Sequence, residues 1–268
     1  MPNKLYTTST GRFLLKILTA PAISKMAGSF MNSSLSKIMI KNFIKKNHID
    51  MSEYKTENWE SFNDFFTRDL RPGTRVVDER PLSLVAPCDG YLTTYDITPD
   101  SEFVIKNTVY TVGDLLQNKR LADEYMGGRC LVFRLTPADY HKYIYPDTGA
   151  KGKNIRIEGL LHTVRPVAFE KYPVFTANTR EYAILRTNNF DDIIFMEVGA
   201  MLVGKIVNYH QEHQFIRGEE KGQFEFGGST IIMLIKKDIA IIDTHIKDCN
   251  ALGKEYKVKL GESIGTRI

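Results

Sequence analysis

The stretch FEFGGSTIIMLI, residues 224–235, places two glycines directly before a serine and runs at once into isoleucine, methionine and leucine. Its flanks read as β-strand, so Ser229 stands where a turn hands over to a buried strand. A glycine pair adopts backbone conformations that other residues resist and lets neighbouring groups approach the peptide closely. An isolated GGS is ordinarily a hairpin turn. The same arrangement also suits a backbone that is itself a substrate, with an unhindered carbonyl at Gly228 and a hydroxyl beside it.

Outward from this stretch the chain keeps the same texture. From about residue 83, short β-rich runs alternate with turns: SLVAPCDGYLTTYDI, EFVIKNTVYTV, RCLVFRLTP, NIRIEGLLHTV, EYAILRT, DIIFMEVGAMLVGKIV and IAIID. Helical periodicity is scarce here apart from VGDLLQNKRLADEY at 112–125. The reading is an α+β fold, with amphipathic N-terminal helices followed by a mostly antiparallel β-sheet or sandwich body. The domain division expected is a helical membrane-association segment, 1–60, and a β-rich domain, 61–268. FNDFFTRDLRPGTRVVD, at 62–78, joins the two and is too aromatic to be a disordered linker.

The N-terminal segment has its own pattern. Phe13, Leu14, Ile17 and Leu18 share one helical face, as do Ile23, Met26, Ala27 and Phe30. A third face carries Leu35, Ile38, Met39, Phe43 and part of Ile44. Residues 1–50 hold eight Lys/Arg against one acid, while the whole chain carries a formal net charge of +4, so the remainder is net negative. Apolar stripes bordered by lysine suit helices lying on an anionic membrane surface. They equally suit helices that cover the body and turn their lysines to water.

Composition narrows the class. The 268 residues are 43% hydrophobic and 25% charged, an ordinary globular profile. No apolar run approaches the roughly 20 residues needed to span a bilayer, and no cleavable signal peptide is expected. Cys88, Cys130 and Cys249 are widely spaced and lack a CxxC, which argues against a disulfide framework or a zinc site and fits a reducing compartment. His210 and His213 form an HxxH, too few ligands for a metal centre, and none is expected. Cys88 reads as a small buried residue.

If the backbone is the substrate, Ser229 attacks the carbonyl of Gly228 and turns the peptide into an ester. Loss of the Ser229 α-proton then expels the upstream chain, and the dehydroalanine left behind gives up ammonia to water, leaving a pyruvoyl group. A base is required. Asp89, in APCDGYL, and His141, in LTPADYHKYIYP, are candidates at strand–turn junctions, with His48, His162, His210, His213 and His245 completing the histidines.

These residues carry a resemblance. FNDFFTRDLRPGTR, APCDG, LTPADYH, NTREYAIL, IIFMEVGAMLVGKI, RGEEKGQFEFGGSTIIML and VKLGESIG follow one another as in the phosphatidylserine decarboxylase family, over roughly residues 60–268. The resemblance implies self-cleavage between Gly228 and Ser229 into a β chain of 1–228 and an α chain of 229–268. It implies a pyruvoyl cofactor made from Ser229, with no pyridoxal phosphate or metal. Asp89 would be the processing aspartate and His141 the acid that returns a proton to the substrate carbon after CO2 leaves. The partners implied are phosphatidylserine, an anionic phospholipid membrane at the cytoplasmic face of the cell membrane, and the chain's own two pieces. Nucleic acid is not among them, and a homodimer is left open.

Two positions depart from the family pattern. Ile144 stands where a second histidine usually follows the DYH, and Arg165, in VRP, replaces an asparagine. An isoleucine can neither take a proton nor hydrogen-bond to Asp89. A guanidinium at 165 points to a carboxylate ligand, which keeps a soluble amino-acid decarboxylase of the same fold as an alternative. An unprocessed lipid-binding paralogue is the third reading.

Overall fold

The computed structural model describes residues 21–55, 58–98, 100, 102–105, 108–159, 174–199, 205–226 and 229–268. The first predicted helical face, at Phe13 to Leu18, therefore lies outside the described residues. Helix α1 (Pro21–Met31) leads into a 3-10 helix (Ser34–Met39) and helix α2 (Ile40–Asn47). The third predicted face is divided by this change of pitch. In a 3-10 helix residues three apart eclipse one another, so Leu35 and Ile38 form an outward ridge, 75% and 85% exposed. Met39, Phe43 and Ile44 instead pack on the body.

A second 3-10 turn (Met51–Glu53) precedes helix α3 (Phe62–Phe66). Ser61 caps α3 by accepting the Asp64 N–H at 3.1 Å, and Asp64 accepts the Glu60 N–H in return at 2.8 Å. The next strands are β1 (Ser83–Val85), β2 (Gly90–Asp96), β3 (Glu102–Ile105) and β4 (Thr108–Thr111). The helix expected over 112–125 is two short ones, α4 (Val112–Leu116) and α5 (Lys119–Asp123). Gln117 turns left-handed at φ 49°, and the Asn118 side chain accepts the Leu121 N–H, so a new cap interrupts the periodicity.

Strands β5 (Arg129–Leu135), β6 (Lys142–Ile144), β7 (Gly149–Lys151) and β8 (Ile155–Ile157) come next, then α6 (Val174–Ala177). They are followed by β9 (Arg180–Thr187), β10 (Asp192–Gly199), β11 (Ile206–Asn208) and β12 (His213–Phe215). The chain closes with β13 (Glu220–Phe224), β14 (Ser229–Ile235), β15 (Ala240–Ile242), α7 (Thr244–Ala251), β16 (Tyr256–Val258) and β17 (Ser263–Arg267).

Among the described residues, the main sheet runs β12-β7-β9-β10-β14-β5-β2-β16, with β8 on β9, and all its pairings are antiparallel. Smaller sheets are β1-β17-β15 and β11-β13-β6, with a β3–β4 hairpin. The α+β reading holds. Strand β14 is central and buried at every position because both faces of the sheet are covered. Ile232 and Leu234 point into one cluster with Val132, Met196, Leu115 and Phe175; Ile231 and Met233 point into the other with Phe133, Phe195 and Ile264. A third cluster joins α2 and α3 to Val85, Tyr140, Ile144 and Leu260.

Truncating Ile232, fully buried at the middle of β14, removes packing on the covered face and leaves a cavity. Ile232→Ala is expected to lower unfolding free energy by about 3 kcal/mol, read as a fall in the urea midpoint. A change under about 0.5 kcal/mol would show that the strand is not a core strand.

Candidate active site

One end of the main sheet gathers the chemistry. Ser229 opens β14 opposite Gly199, the last residue of β10, and opposite Leu135, the last of β5. Tyr91 pairs with Arg134, so Gly90 and the preceding Asp89 lie at the same end. Gly90 (φ +153°) permits this approach, because a Cβ there would sit 2.9 Å from the Arg134 carbonyl oxygen. The turn after β5 carries Asp139 and His141. Three strand ends and one turn therefore meet at the end of the sheet that holds Ser229, although Asp89, His141 and Ser229 span 140 residues of sequence.

Ser229 is fully buried, and among the described residues its Oγ has no hydrogen-bond partner; the Oγ1 of Thr230 is in the same state. A buried hydroxyl without a partner costs free energy, so these orphaned atoms mark a place where the chain has kept polar groups for another purpose. Gly227, Gly228, His162 and Arg165 lie outside the described residues.

His141 is also fully buried, with its ring 4.0 Å from that of Phe66. Its Nδ1 lies 2.8 Å from the Asp139 carbonyl oxygen, so Nδ1 carries the proton and donates it there. Nε2 is then a bare, unpartnered acceptor. Burial, with the nearby Arg68 charge adding to it, pushes the imidazole pKa down to about 3. The turn that holds it is locked. The Asp139 carboxylate accepts from the Thr136 N–H at 2.6 Å and Thr136 Oγ1 at 2.7 Å and is paired with Lys257, while the His141 carbonyl accepts from the Phe224 N–H at 2.9 Å.

Asp89 is held by a different set. Arg75 donates Nε to Oδ1 at 2.9 Å and Nη2 to Oδ2 at 2.5 Å, and the Leu260 N–H donates to Oδ1 at 2.9 Å. Arg75 also reaches Glu53 at 2.9 Å, and Glu53 reaches Lys259 at 2.6 Å. Burial works against the Arg75 charge, but its hydrogen bonds to Asp89 and Glu53 outweigh that and raise its pKa. No hydrogen bond links Asp89 to His141 or to Ser229 among the described residues. Ile144 packs in the third cluster, and its N–H donates to the Pro87 carbonyl at 2.9 Å, two residues before Asp89. A histidine there would be a neighbour of Asp89; with isoleucine, the carboxylate is occupied by Arg75.

Cys88 is buried, and burial raises its thiol pKa well above the ordinary value, as suits a packing residue. His210 and His213 stack face to face at 3.8 Å and 9°, with His213 Nε2 2.6 Å from Glu219 Oε1. With Glu219 they place three potential ligand atoms within 4.8 Å of one another, one more residue than the HxxH shows in sequence. Arg75, Phe66 and Arg68, which donates to the Ala138 carbonyl at 3.2 Å, were not singled out by the sequence reading. The dense aromatic and arginine content of 62–75 was the available signal.

The family model described as phosphatidylserine decarboxylase matches residues 62–266. The chain is 44% identical over 262 residues to phosphatidylserine decarboxylase proenzyme 2 of Clostridium acetobutylicum, covering 97% of this chain and 90% of that protein. It is 42% identical to the phosphatidylserine decarboxylase proenzyme of Ruminiclostridium cellulolyticum, covering 99% and 91%, and 41% identical to that of Clostridium botulinum, covering 99% and 92%.

The histidine supplies a pH test. A group whose folded pKa is about 3, against 6.5 when exposed, holds its stabilising neutral form above 6.5 and loses that advantage as pH falls toward 3. Between pH 7 and pH 5 the folded protein is expected to lose about 2 kcal/mol through this group alone. Urea unfolding at the two pH values reads it, with His141→Gln expected to flatten that part of the slope. An equal slope in both proteins would show that His141 titrates normally.

Proposed function

Since the chain belongs to the phosphatidylserine decarboxylase family, we propose that it is a self-cleaving decarboxylase that converts phosphatidylserine to phosphatidylethanolamine and CO2. The observation that carries this reading is the buried, unpartnered Ser229 hydroxyl, at the head of a central strand and directly after two glycines.

Maturation begins when the Ser229 hydroxyl adds to the Gly228 carbonyl carbon. The C–N bond breaks, the hydroxyl proton ends on the Ser229 amine, and the peptide has become an ester. Removal of the α-proton breaks the Cβ–Oγ bond and releases Gly228 as a carboxylate; water then replaces the nitrogen, which leaves as ammonia. The β chain is 1–228 and the α chain 229–268. His141, neutral and with a bare Nε2, is the base best placed by chemistry to take a proton. Asp89, held by Arg75 and the Leu260 N–H, is the processing aspartate of this scheme.

Once formed from Ser229, a pyruvoyl group would supply a carbonyl electrophile and an electron sink for the decarboxylation. The buried Thr230 hydroxyl, without a partner among the described residues, fits such a group, which would bring it an acceptor, and the His141 Nε2 is left open to the substrate; the Ser229 oxygen itself leaves with Gly228. His141 returns a proton to the substrate carbon. A substrate carboxylate entering beside it raises its affinity for that proton. Arg165 is kept as a carboxylate ligand in this scheme.

Residues 1–60 serve membrane association and 61–268 catalysis. The ridge of Leu35 and Ile38, with Met26 at 69% exposure, stands beside exposed Lys37, Lys41, Lys45 and Lys46. Apolar side chains flanked by lysines match a surface of anionic lipid, reached from the cytoplasmic side. Among the described residues, no helix is long and apolar enough to cross a membrane.

Phosphatidylserine vesicles should yield phosphatidylethanolamine with the wild-type protein, while Ser229→Ala stays a single chain and yields none. Turnover by Ser229→Ala, or turnover of a soluble aromatic amino acid in place of the phospholipid, would overturn the assignment. In co-sedimentation with anionic vesicles, the double change Leu35→Glu and Ile38→Glu is expected to weaken binding by about tenfold or more. Wild-type binding should also weaken as salt rises. Unchanged sedimentation of the double variant would remove this ridge from the membrane contact.

A further inference from the structure

The residue three places before Ser229 is tied to the N-terminal helices. The Phe226 N–H donates to Asn63 Oδ1 at 3.1 Å, and Asn63 is 4% exposed on α3. The Phe226 ring meets Phe62, Phe66 and Phe43 edge to face, with centroids 4.8, 5.2 and 5.8 Å apart. Phe43 belongs to α2, whose other side carries Lys41, Lys45 and Lys46. Asn63 is fixed in turn, donating Nδ2 to Asn32 Oδ1 at 2.9 Å, and the Phe62 N–H donates to Ser36 Oγ at 2.8 Å.

We propose that Asn63 and the phenylalanine cage around Phe226 are the positioning device for self-cleavage, holding the upstream side of the scissile turn while the main sheet holds the downstream side. Ser229 is locked between β5 and β10. With Phe226 locked as well, residues 227 and 228 must join two fixed Cα positions no more than about 11 Å apart along the chain. Holding both flanks would limit the orientations open to the carbonyl that precedes Ser229, which attack by its hydroxyl requires. Attack requires the reacting atoms within about 3–3.5 Å, and a misplacement of about 1 Å can cost about 100-fold. Two glycines alone would leave the carbonyl many alternative orientations; the anchor removes them. Asn63 touches neither reacting atom, so its role is positional. The inference rests on cleavage at Gly228–Ser229.

The test is the time course of splitting of the full chain freshly made by cell-free synthesis, for wild type, Asn63→Ala, Asn63→Asp, Asn32→Ala and Phe226→Ala. Asn63→Ala and Phe226→Ala are expected to split about tenfold or more slowly. Asn63→Asp keeps the acceptor for the Phe226 N–H and should split near the wild-type rate. Asn32→Ala loses the same Asn32–Asn63 hydrogen bond as Asn63→Ala but leaves Phe226 anchored, so it too should split normally; a purely structural role would slow both alike. Hydroxylamine, which cuts the ester, should not restore Asn63→Ala, because the slowed step precedes the ester. Wild-type splitting with Asn63→Ala equally fast, or Asn32→Ala as slow as Asn63→Ala, overturns the positioning role alone. A wild-type chain that never splits overturns the cleavage reading and the positioning role with it.

Discussion

A hydroxyl kept in the protein interior without a hydrogen bond is the constraint around which this structure is organised. Ser229 has its backbone in the antiparallel ladder between β5 and β10, while among the described residues its Oγ reaches no acceptor or donor. In water that oxygen would be solvated, and inside the protein it is not, so the fold must supply the compensating stability elsewhere. It does so by covering both faces of the sheet. The apolar residues of β14 alternate between two clusters, one on each face of the sheet.

The same enclosure governs the other groups. His141 remains neutral because it is buried against Phe66 and beside Arg68, which leaves Nε2 as a lone-pair acceptor in a dry site. Asp89 stays buried because Arg75 and the Leu260 N–H satisfy its oxygens, and Arg75 is balanced in turn by Glu53. Burial and the nearby Arg68 charge together outweigh the Asp139 carboxylate and keep the histidine neutral, while Asp89 is paired with Arg75. The N-terminal helices close the remaining side through Phe43, Phe62 and Phe66, so the segment bearing the exposed lysines also packs on the turn before Ser229.

Much of this was legible along the chain. The alternation and short apolar runs after residue 83 gave the antiparallel body, and GGST followed by five apolar residues marked the head of a buried strand. What escaped was local geometry set by caps and long-range partners. The periodicity of 112–125 read as one helix because it cannot show that Asn118 caps a second one. Leu35 and Phe43 read as one face because a change from α to 3-10 pitch leaves no clear mark in composition. Arg75 meets Asp89 from 14 residues away and Leu260 from 171, and Phe66 meets His141 across 75. Pairings of that range are decided by the packing of whole elements. The departure at Ile144 was visible in sequence, but the arginine clamp on Asp89 required the fold.

The central claim is that Ser229 is consumed to make a prosthetic group, and intact-mass spectrometry of the small chain tests it most directly. The account predicts a chain of residues 229–268 whose first residue is a pyruvoyl group, lacking the serine amine and shifted in mass by a carbonyl reagent. A small chain that begins with an unmodified serine, cut by simple hydrolysis, would contradict it, as would a full-length mass that persists on long incubation.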